Sequence, residues 1–247
     1  MKISAIVLAK NEALRIGACL EALVWAGERI VIDNSSTDDT AKIAKKFGAR
    51  VINSSEKSFA ERRNIGLREA KGDWIFYVDA DETVTPELTR EIQNITPGFA
   101  AYQIRRKNYY LGKPWPHEEK MLRLFQKAAL KEWYGELHES SRVEGQIGEL
   151  SGVLLHDTHR TLEEMVDKTN EWSAAEAILR LRSGHPPVVW WRFIRVMLTA
   201  FFYSFIKQGG WRAGVVGWIE SIYQAFSMFI TYAKLWELQN VKNIKNL

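Results

Sequence analysis

The sequence predicts an α/β fold, a Rossmann-like arrangement around a mixed, mainly parallel sheet, followed by a C-terminal pair of amphipathic helices. Three observations predict it. Short apolar runs recur at 3–8, 30–33, 50–53 and 74–78, with helical patterns between them, as in a parallel sheet covered on both faces. Three of these runs end in polar clusters. The last 60 residues then change character, becoming long apolar stretches with polar positions at helical spacing.

Ile3–Leu8 reads as a strand and is too short for the apolar core of a signal peptide. Residues 12–24 read as a helix. After the strand at 30–33, Ser36 or Thr37 can cap a helix that runs from the Asp38-Asp39 pair to Phe47 and ends at Gly48. A strand at 50–53, a helix at 59–70 and a strand at 74–78 follow. Thr85-Pro86 looks like an N-cap with a first-turn proline, opening a helix to about Asn94. Residues 99–160 are richer in strand signals, near 100–106, 121–125 and 153–156. A helix from Thr161 to about Arg182 is broken by Ser183-Gly184-His185-Pro186-Pro187.

The 247 residues fit one large domain or a domain with an appendage, and 46% hydrophobic with 26% charged residues suits a packed core. Cys19 is the only cysteine, so no internal disulfide forms; it reads as a buried, inert thiol. The net charge of +4 is unevenly placed: residues 188–247 carry seven basic and two acidic residues, with 14 of the 29 aromatics. That composition suits a membrane surface. The basic residues are too sparse among apolar runs for nucleic acid. The stretches 188–206 and 214–236 fit helices lying in the membrane interface better than clean spans. Arg192 and Arg195 interrupt the first, and Glu220, Gln224, Ser227, Thr231 and Lys234 stripe the second. Two ordinary core helices are the plainer alternative.

The sharpest chemical signal is Tyr77-Val78-Asp79-Ala80-Asp81-Glu82. Three carboxylates within four residues repel one another, and ending a buried strand on them is costly unless they receive a cation. Asp79 and Asp81 share a face in extended backbone. Mg2+ and Mn2+ commonly take one or two carboxylates together with substrate phosphates. A second cluster, Asp33-Asn34-Ser35-Ser36-Thr37-Asp38, suits hydrogen bonding to a nucleobase or ribose, although it is also ordinary cap chemistry. Lys10-Asn11-Glu12 closes the first strand. Three polar strand ends then converge on one crevice beyond the carboxyl edge of the sheet, where such folds bind ligands.

On these stretches the chain resembles the family-two inverting glycosyltransferases of A-type fold, in particular the branch acting in bacterial lipopolysaccharide-core and surface-glycan assembly. The matching segments are 6–12, 31–38, 60–66 and 74–82, with weaker likeness at Leu137-His138-Glu139 and from His156 to Lys168. The resemblance implies a catalytic domain over 1–187, with a nucleotide-sugar half (1–95) and an acceptor half (96–187), and the composition of 188–247 sets that segment apart as a membrane-association region. It implies donor contacts from Asn11, Glu12, Asp33, Asn34, Arg63, Asn64, Asp79, Asp81 and Lys168. Asp33 would face the base; many relatives carry a second acid where this chain has Asn34. Asp79 would face the ribose, and Asp81 would hold a divalent metal, Mg2+ or Mn2+, on the diphosphate. His156 is the candidate to complete the metal site, since imidazole can join carboxylates at manganese. Lys168 could reach diphosphate oxygens, a solvated helix face being the plainer reading.

Glu139 is the candidate general base, Glu136 its competitor and His138 its orienting partner. The aromatic stretch 109–115 is a candidate acceptor loop. The expected donor is a nucleoside-diphosphate sugar, by resemblance a uridine diphosphate sugar. The expected acceptor is a glycolipid or lipid-linked glycan, and the expected location is cytoplasmic, peripheral on the inner face of the membrane. Two rivals stand beside this: a phosphatase of the haloacid dehalogenase type with Asp79 as nucleophile, and an inactive membrane-surface adaptor. Three strands precede Asp79, which is late for the phosphatase motif.

Overall fold

The computed structural model describes residues 1–56, 58–95, 98–135 and 139–241. The chain divides into two compact units, one made of Met1–Lys107 with Glu118–His156, the other of Asn108–His117 with Asp157 onward. Helical residues 162–182, grouped by sequence with the acceptor half, fall in the second unit.

The first unit opens with strand β1 (Ile3–Ala9), helix α1 (Ile16–Glu21), β2 (Glu28–Asp33), α2 (Thr40–Lys46), β3 (Arg50–Asn53), α3 (Phe59–Glu69) and β4 (Trp74–Asp79). A short β5 (Glu82–Val84) and α4 (Pro86–Gln93) follow, then β6 (Ala101–Tyr110), β7 (Lys113–Gln126), β8 (Leu130–Tyr134), β9 (Ser140–Val143) and β10 (Ile147–His159). One mixed sheet has the order β3-β2-β1-β4-β7-β6-β10-β5, and β8-β9 form a separate pair. The first four strands in that order run parallel, as expected, whereas β7 is antiparallel to β4 and β5 to β10.

Every residue of β1 is buried, because the sheet is covered on both faces. Ala5, Val7, Phe76 and Val78 pack with Leu20 and Leu23 on one side. Ile6, Leu8, Ile30, Ile75 and Tyr77 pack with Ala60, Phe125 and Trp133 on the other. Burial of each large side chain contributes roughly 1.5–3 kcal/mol.

Two local expectations need correction. The helix expected over 12–24 is reduced to six residues. Asn11 takes a left-handed φ of 56°, and the amides of Arg15 and Ile16 both bond to the Glu12 carbonyl, so residues 12–15 form a turn. Neither Ser36 nor Thr37 caps α2, which starts at Thr40. Their polar groups are drawn to Asp33 and Asn11 instead. Thr85 does cap α4, accepting from the Leu88 amide at 3.3 Å, and Thr161 caps the next helix by accepting from Glu164 at 3.1 Å.

The second unit holds α5 (Leu162–Arg182), α6 (Trp190–Phe202), a π turn at Tyr203–Lys207, a 3-10 turn at Gly210–Ala213 and α7 (Gly214–Asn240). α7 is inside out. Glu220 is 1% exposed and Ser221 fully buried, whereas Trp218 and Ile222 are 52% and 57% exposed. The inward polar groups are satisfied: Glu220 meets His159 Nδ1 at 3.1 Å and accepts from Gln224 at 2.7 Å, and Ser221 donates to Ser204. Gly217 lies against Gly210; a Cβ there would sit 1.7 Å from the Gly210 carbonyl oxygen. Among the described residues, no helix is long and apolar enough to cross a membrane.

Gly152 of β10 faces α4, and a Cβ there would meet Leu88 Cα at 2.5 Å, a backbone atom that cannot rotate away. Gly152→Ala should therefore destabilise the fold by about 1–3 kcal/mol, read as a lower urea midpoint at unchanged slope. An unchanged midpoint would show that α4 can shift freely.

Candidate active site

The candidate site forms where β1, β2 and β4 end. Register places Ala9 opposite Asp33 and Leu8 opposite Asp79, so the two aspartates close strands on either side of β1, about 10 Å apart at ordinary strand spacing. The site comprises two clusters.

The first is built on Asp33, which is 3% exposed. Its carboxylate accepts from the Ser36 hydroxyl at 2.5 Å and the Ser36 amide at 3.2 Å. Asn11 receives the Thr37 amide on Oδ1 at 2.8 Å and donates its own amide to Ser36 Oγ at 2.9 Å. The Glu12 amide donates to Thr40 Oγ1 at 2.7 Å. The Asn34 side chain, with its NH2 turned to face acceptors, donates to the Ser54 and Glu56 carbonyls at 3.2 Å, tying the end of β2 to that of β3. This small polar turn is held together by its own hydrogen bonds.

The second cluster surrounds the Asp-Ala-Asp turn. Asp79 Oδ2 accepts from Arg123 Nη2 at 2.7 Å and Oδ1 from Arg63 Nη2 at 3.3 Å. The same Arg123 nitrogen reaches Glu82 Oε1 at 2.8 Å, and Glu82 Oε2 accepts the Asp79 backbone amide at 2.9 Å. Arg106 adds contacts to Glu82 at 3.3 Å and Glu119 at 2.5 Å. Arg63 also donates to Glu139 Oε1 through Nε at 3.2 Å and Nη2 at 3.1 Å. Its guanidinium lies 4.9 Å from the Trp133 ring centroid and 5.5 Å from that of Tyr77, within cation–π range of both.

Burial alone would raise the Asp79 carboxyl. The charges of Arg123 and Arg63, and the Arg123 hydrogen bond, outweigh it and hold that carboxyl far below the usual carboxylate range. The group is ionised throughout the neutral range. Its contribution to stability is complete above the ordinary aspartate pKa and is lost only as pH falls below that value. Burial likewise opposes the Arg123 charge, but Asp79 and Glu82 raise its pKa above the ordinary arginine value. Burial, with Glu82 and Asp81 nearby, pushes the Cys19 thiol up, which agrees with an inert core cysteine.

Asp81 has a different environment. Its Oδ2 lies 3.3 Å from His156 Nε2 and 3.6 Å from Arg15 Nη1, and Arg15 pairs with Glu12 at 2.8 Å. β5 creates this meeting, because Glu82 pairs with His156 across the β5–β10 ladder. A carboxylate oxygen beside an imidazole nitrogen fits a cation such as Mn2+. Among the described residues no group of three His, Cys, Asp or Glu side chains could hold a metal, so phosphate oxygens and water would have to complete the shell.

Of the residues expected from sequence, Asp79, Asp81, Arg63, Glu139 and His156 gather around the turn, with Glu12 joined through Arg15; Asp33, Asn11 and Asn34 form the neighbouring cluster. Asn64 is used differently. Its amide donates to the Trp133 carbonyl at 2.9 Å and accepts the Trp133 amide at 2.8 Å, fixing β8 against α3. Lys168 lies on α5 in the second unit, where its ammonium donates to the Thr158 carbonyl at 3.0 Å. Glu136 and His138 lie outside the described residues. In the stretch 109–115, Trp115 is buried against Tyr110 with ring centroids 4.9 Å apart, so it is packed and not presented to solvent.

Sequence reasoning counted Glu82 among the three carboxylates but missed Arg123, Arg106 and Arg15 as partners of the acidic turn. The readable signal for Arg123 was an arginine inside the apolar strand Leu122-Arg123-Leu124-Phe125, since a buried charge is kept only when paired.

A model of the family described as glycosyl transferase family 2 matches residues 4–143. The lipopolysaccharide core biosynthesis glycosyltransferase LpsC of Rhizobium meliloti is 26% identical over 100% of this chain and 96% of its own. An uncharacterized glycosyltransferase of Rickettsia prowazekii is 30% identical over 96% of this chain and 87% of its own. Two solved structures share the fold. The mannosyltransferase PcManGT from Pyrobaculum calidifontis, in complex with GDP-Man and Mn2+, has a TM-score of 0.58 at 13% identity, covering 96% of this chain and 87% of that one. S. aureus TarS (1–349) in complex with UDP-GlcNAc has a TM-score of 0.52 at 16% identity, covering 97% and 91%.

Asn64→Ala would leave the Trp133 amide and carbonyl without this partner beneath a buried ring. We expect a loss of about 1–3 kcal/mol and faster hydrogen exchange at the Trp133 amide. Unaltered exchange there would show that Asn64 does not anchor β8.

Proposed function

The chain belongs to glycosyl transferase family 2 and is a glycosyltransferase; from that premise we propose that it moves a sugar, with inversion, from a nucleoside-diphosphate sugar to a hydroxyl of a lipid-linked or lipopolysaccharide-core-type glycan. The observation that carries this reading is the division of labour within the acidic turn. Asp79 has both oxygens engaged by guanidinium groups, whereas Asp81 meets the His156 imidazole at 3.3 Å, with Arg15 farther off at 3.6 Å on the same oxygen. An aspartate clamped on both oxygens is a poor nucleophile, which also argues against the phosphatase alternative.

In this reading Asp33, Asn11 and the 34–37 turn hold the base and ribose, with Asp79 on the ribose side. Asp81 and His156 would hold a divalent cation, which when bound supplies positive charge to the leaving diphosphate. The neighbour PcManGT was solved with GDP-Man and Mn2+, and TarS with UDP-GlcNAc, which supports metal use and a nucleoside-diphosphate sugar donor. Glu139 takes the proton from the acceptor hydroxyl as that oxygen attacks the anomeric carbon and the bond to the diphosphate breaks. Arg63, which touches both Asp79 and Glu139, holds that base close to the donor end of the site. The name of the R. meliloti relative supports a lipopolysaccharide-type acceptor.

Glu139→Gln keeps a hydrogen-bond acceptor for Arg63 and removes the base. It should lower kcat by about 100-fold or more, while Mn2+-dependent stabilisation by UDP or GDP in a melting screen persists. Turnover close to that of the native chain would remove Glu139 from the mechanism. A native chain unmoved by any nucleoside diphosphate, with or without Mn2+, would remove the donor site.

We also propose that the exposed face of α6 and α7 rests on an anionic membrane surface from the cytoplasmic side. Val215, Trp218, Ile222, Phe226 and Phe229 line the exposed side of α7 at steps of three and four, and Trp191, Ile194, Leu198 and Phe202 do so on α6. Arg192 and Arg195 lie over the Trp191 ring and Arg212 over Trp211, the pairing of cation and amphipathic ring that suits headgroups. The double variant Trp218→Ser, Ile222→Ser should lose most of its flotation with phosphatidylglycerol vesicles and keep UDP binding. Equal flotation by both proteins would reject this surface.

A further inference from the structure

Arg123 lies in β7, 4% exposed, and its Nη2 bridges Asp79 Oδ2 at 2.7 Å and Glu82 Oε1 at 2.8 Å. Its Nε faces Met121 Sδ at 3.0 Å. Glu82 is the other half of the device. Its side chain is fully buried, its Oε2 closes the turn by accepting the Asp79 amide, and Arg106 meets its Oε1. Its backbone pairs with His156. Backbone and side chain of Asp79 are thus both fixed through Glu82 and Arg123, while the Asp79 side chain remains 24% exposed. Neither Arg123 nor Glu82 is placed to be the base, and neither belongs to the Asp81–His156 pair.

We propose that Arg123, with Glu82 as its counter-charge, is a positioning residue for donor binding: it aims the Asp79 carboxylate at the nucleotide and does not itself touch the nucleotide. This rests on the donor-site reading given above. A guanidinium suits the task because it remains charged when buried, and one of its nitrogens can serve two carboxylates. A residue that only stabilised the fold would change the melting temperature and leave nucleotide affinity alone. A positioning residue changes affinity for the nucleoside part even without metal.

The test is UDP and GDP binding by calorimetry, in EDTA and with Mn2+, on the native chain, Arg123→Met, Arg123→Lys and Glu82→Asp, with donor KM and kcat from turnover. In Arg123→Met the Kd for the nucleotide that binds the native chain, and the donor KM, should rise about tenfold or more, with kcat within threefold. Arg123→Lys, which keeps the charge, should recover much of that loss. Glu82→Asp keeps every charge but shortens the link to Asp79, and should raise the Kd at least threefold. A folded Arg123→Met with native Kd and KM overturns the proposal. If that variant does not fold, native affinity in Glu82→Asp overturns it instead. A native chain that binds neither nucleotide defeats the donor-site reading itself, an outcome distinct from failure of the positioning role.

Discussion

The carboxylates of Asp79, which closes β4, and Glu82, which opens β5, can coexist side by side only because guanidinium groups from three other elements are brought to them. Asp79 and Glu82 would repel each other and resist burial; Arg123 bridges them, with Arg63 and Arg106 completing the charge balance. The cost of desolvating such groups is several kcal/mol per ion and is offset only by close, well-made contacts. Much of the first unit can be seen as the framework for those contacts. α3 carries Arg63 against Tyr77 and Trp133, β7 brings Arg123 across the antiparallel junction with β4, and β6 supplies Arg106.

The same arrangement separates the roles of neighbouring residues. Asp79 and Asp81 are two positions apart, yet one has a guanidinium group on each oxygen and the other has His156 and Arg15 on a single oxygen. The difference comes from β5, three residues long, which turns the chain back to pair with β10 and sets His156 opposite Glu82. Sequence spacing placed the two acids together; only the turn between them assigns each its surroundings.

Much of the parallel half of the sheet was legible in the sequence because its strands are apolar on both faces and end in polar clusters. Ile3–Ala9 and Trp74–Asp79 differ from their expected bounds by one residue each. The antiparallel half was harder to read. β6, β7 and β10 run 10, 14 and 13 residues with many polar positions, so only their most apolar cores stood out. α1 was overestimated because its apolar periodicity begins in a turn that Asn11 imposes through a left-handed backbone. The acidic members of the site declared themselves by density, whereas their basic partners did not. Arg63 was named only by resemblance, while Arg106 and Arg123 lie on β6 and β7 and are brought to the acids by the sheet order. On α7 the polar stripe was visible, but nothing in its spacing said that it faces inward toward His159 and Ser204.

The bridged carboxylates also bear on how such a protein can lose its activity over evolutionary time. Removing Glu82 or Arg123 unbalances charge in the interior, so a lineage released from selection for turnover would still be held to that pair by its need to fold. An intact acidic motif is therefore weak testimony to a working enzyme. Glu139, one-fifth exposed where Glu82 is fully buried, can be exchanged at smaller structural cost. It is the position at which a retired descendant would first drift.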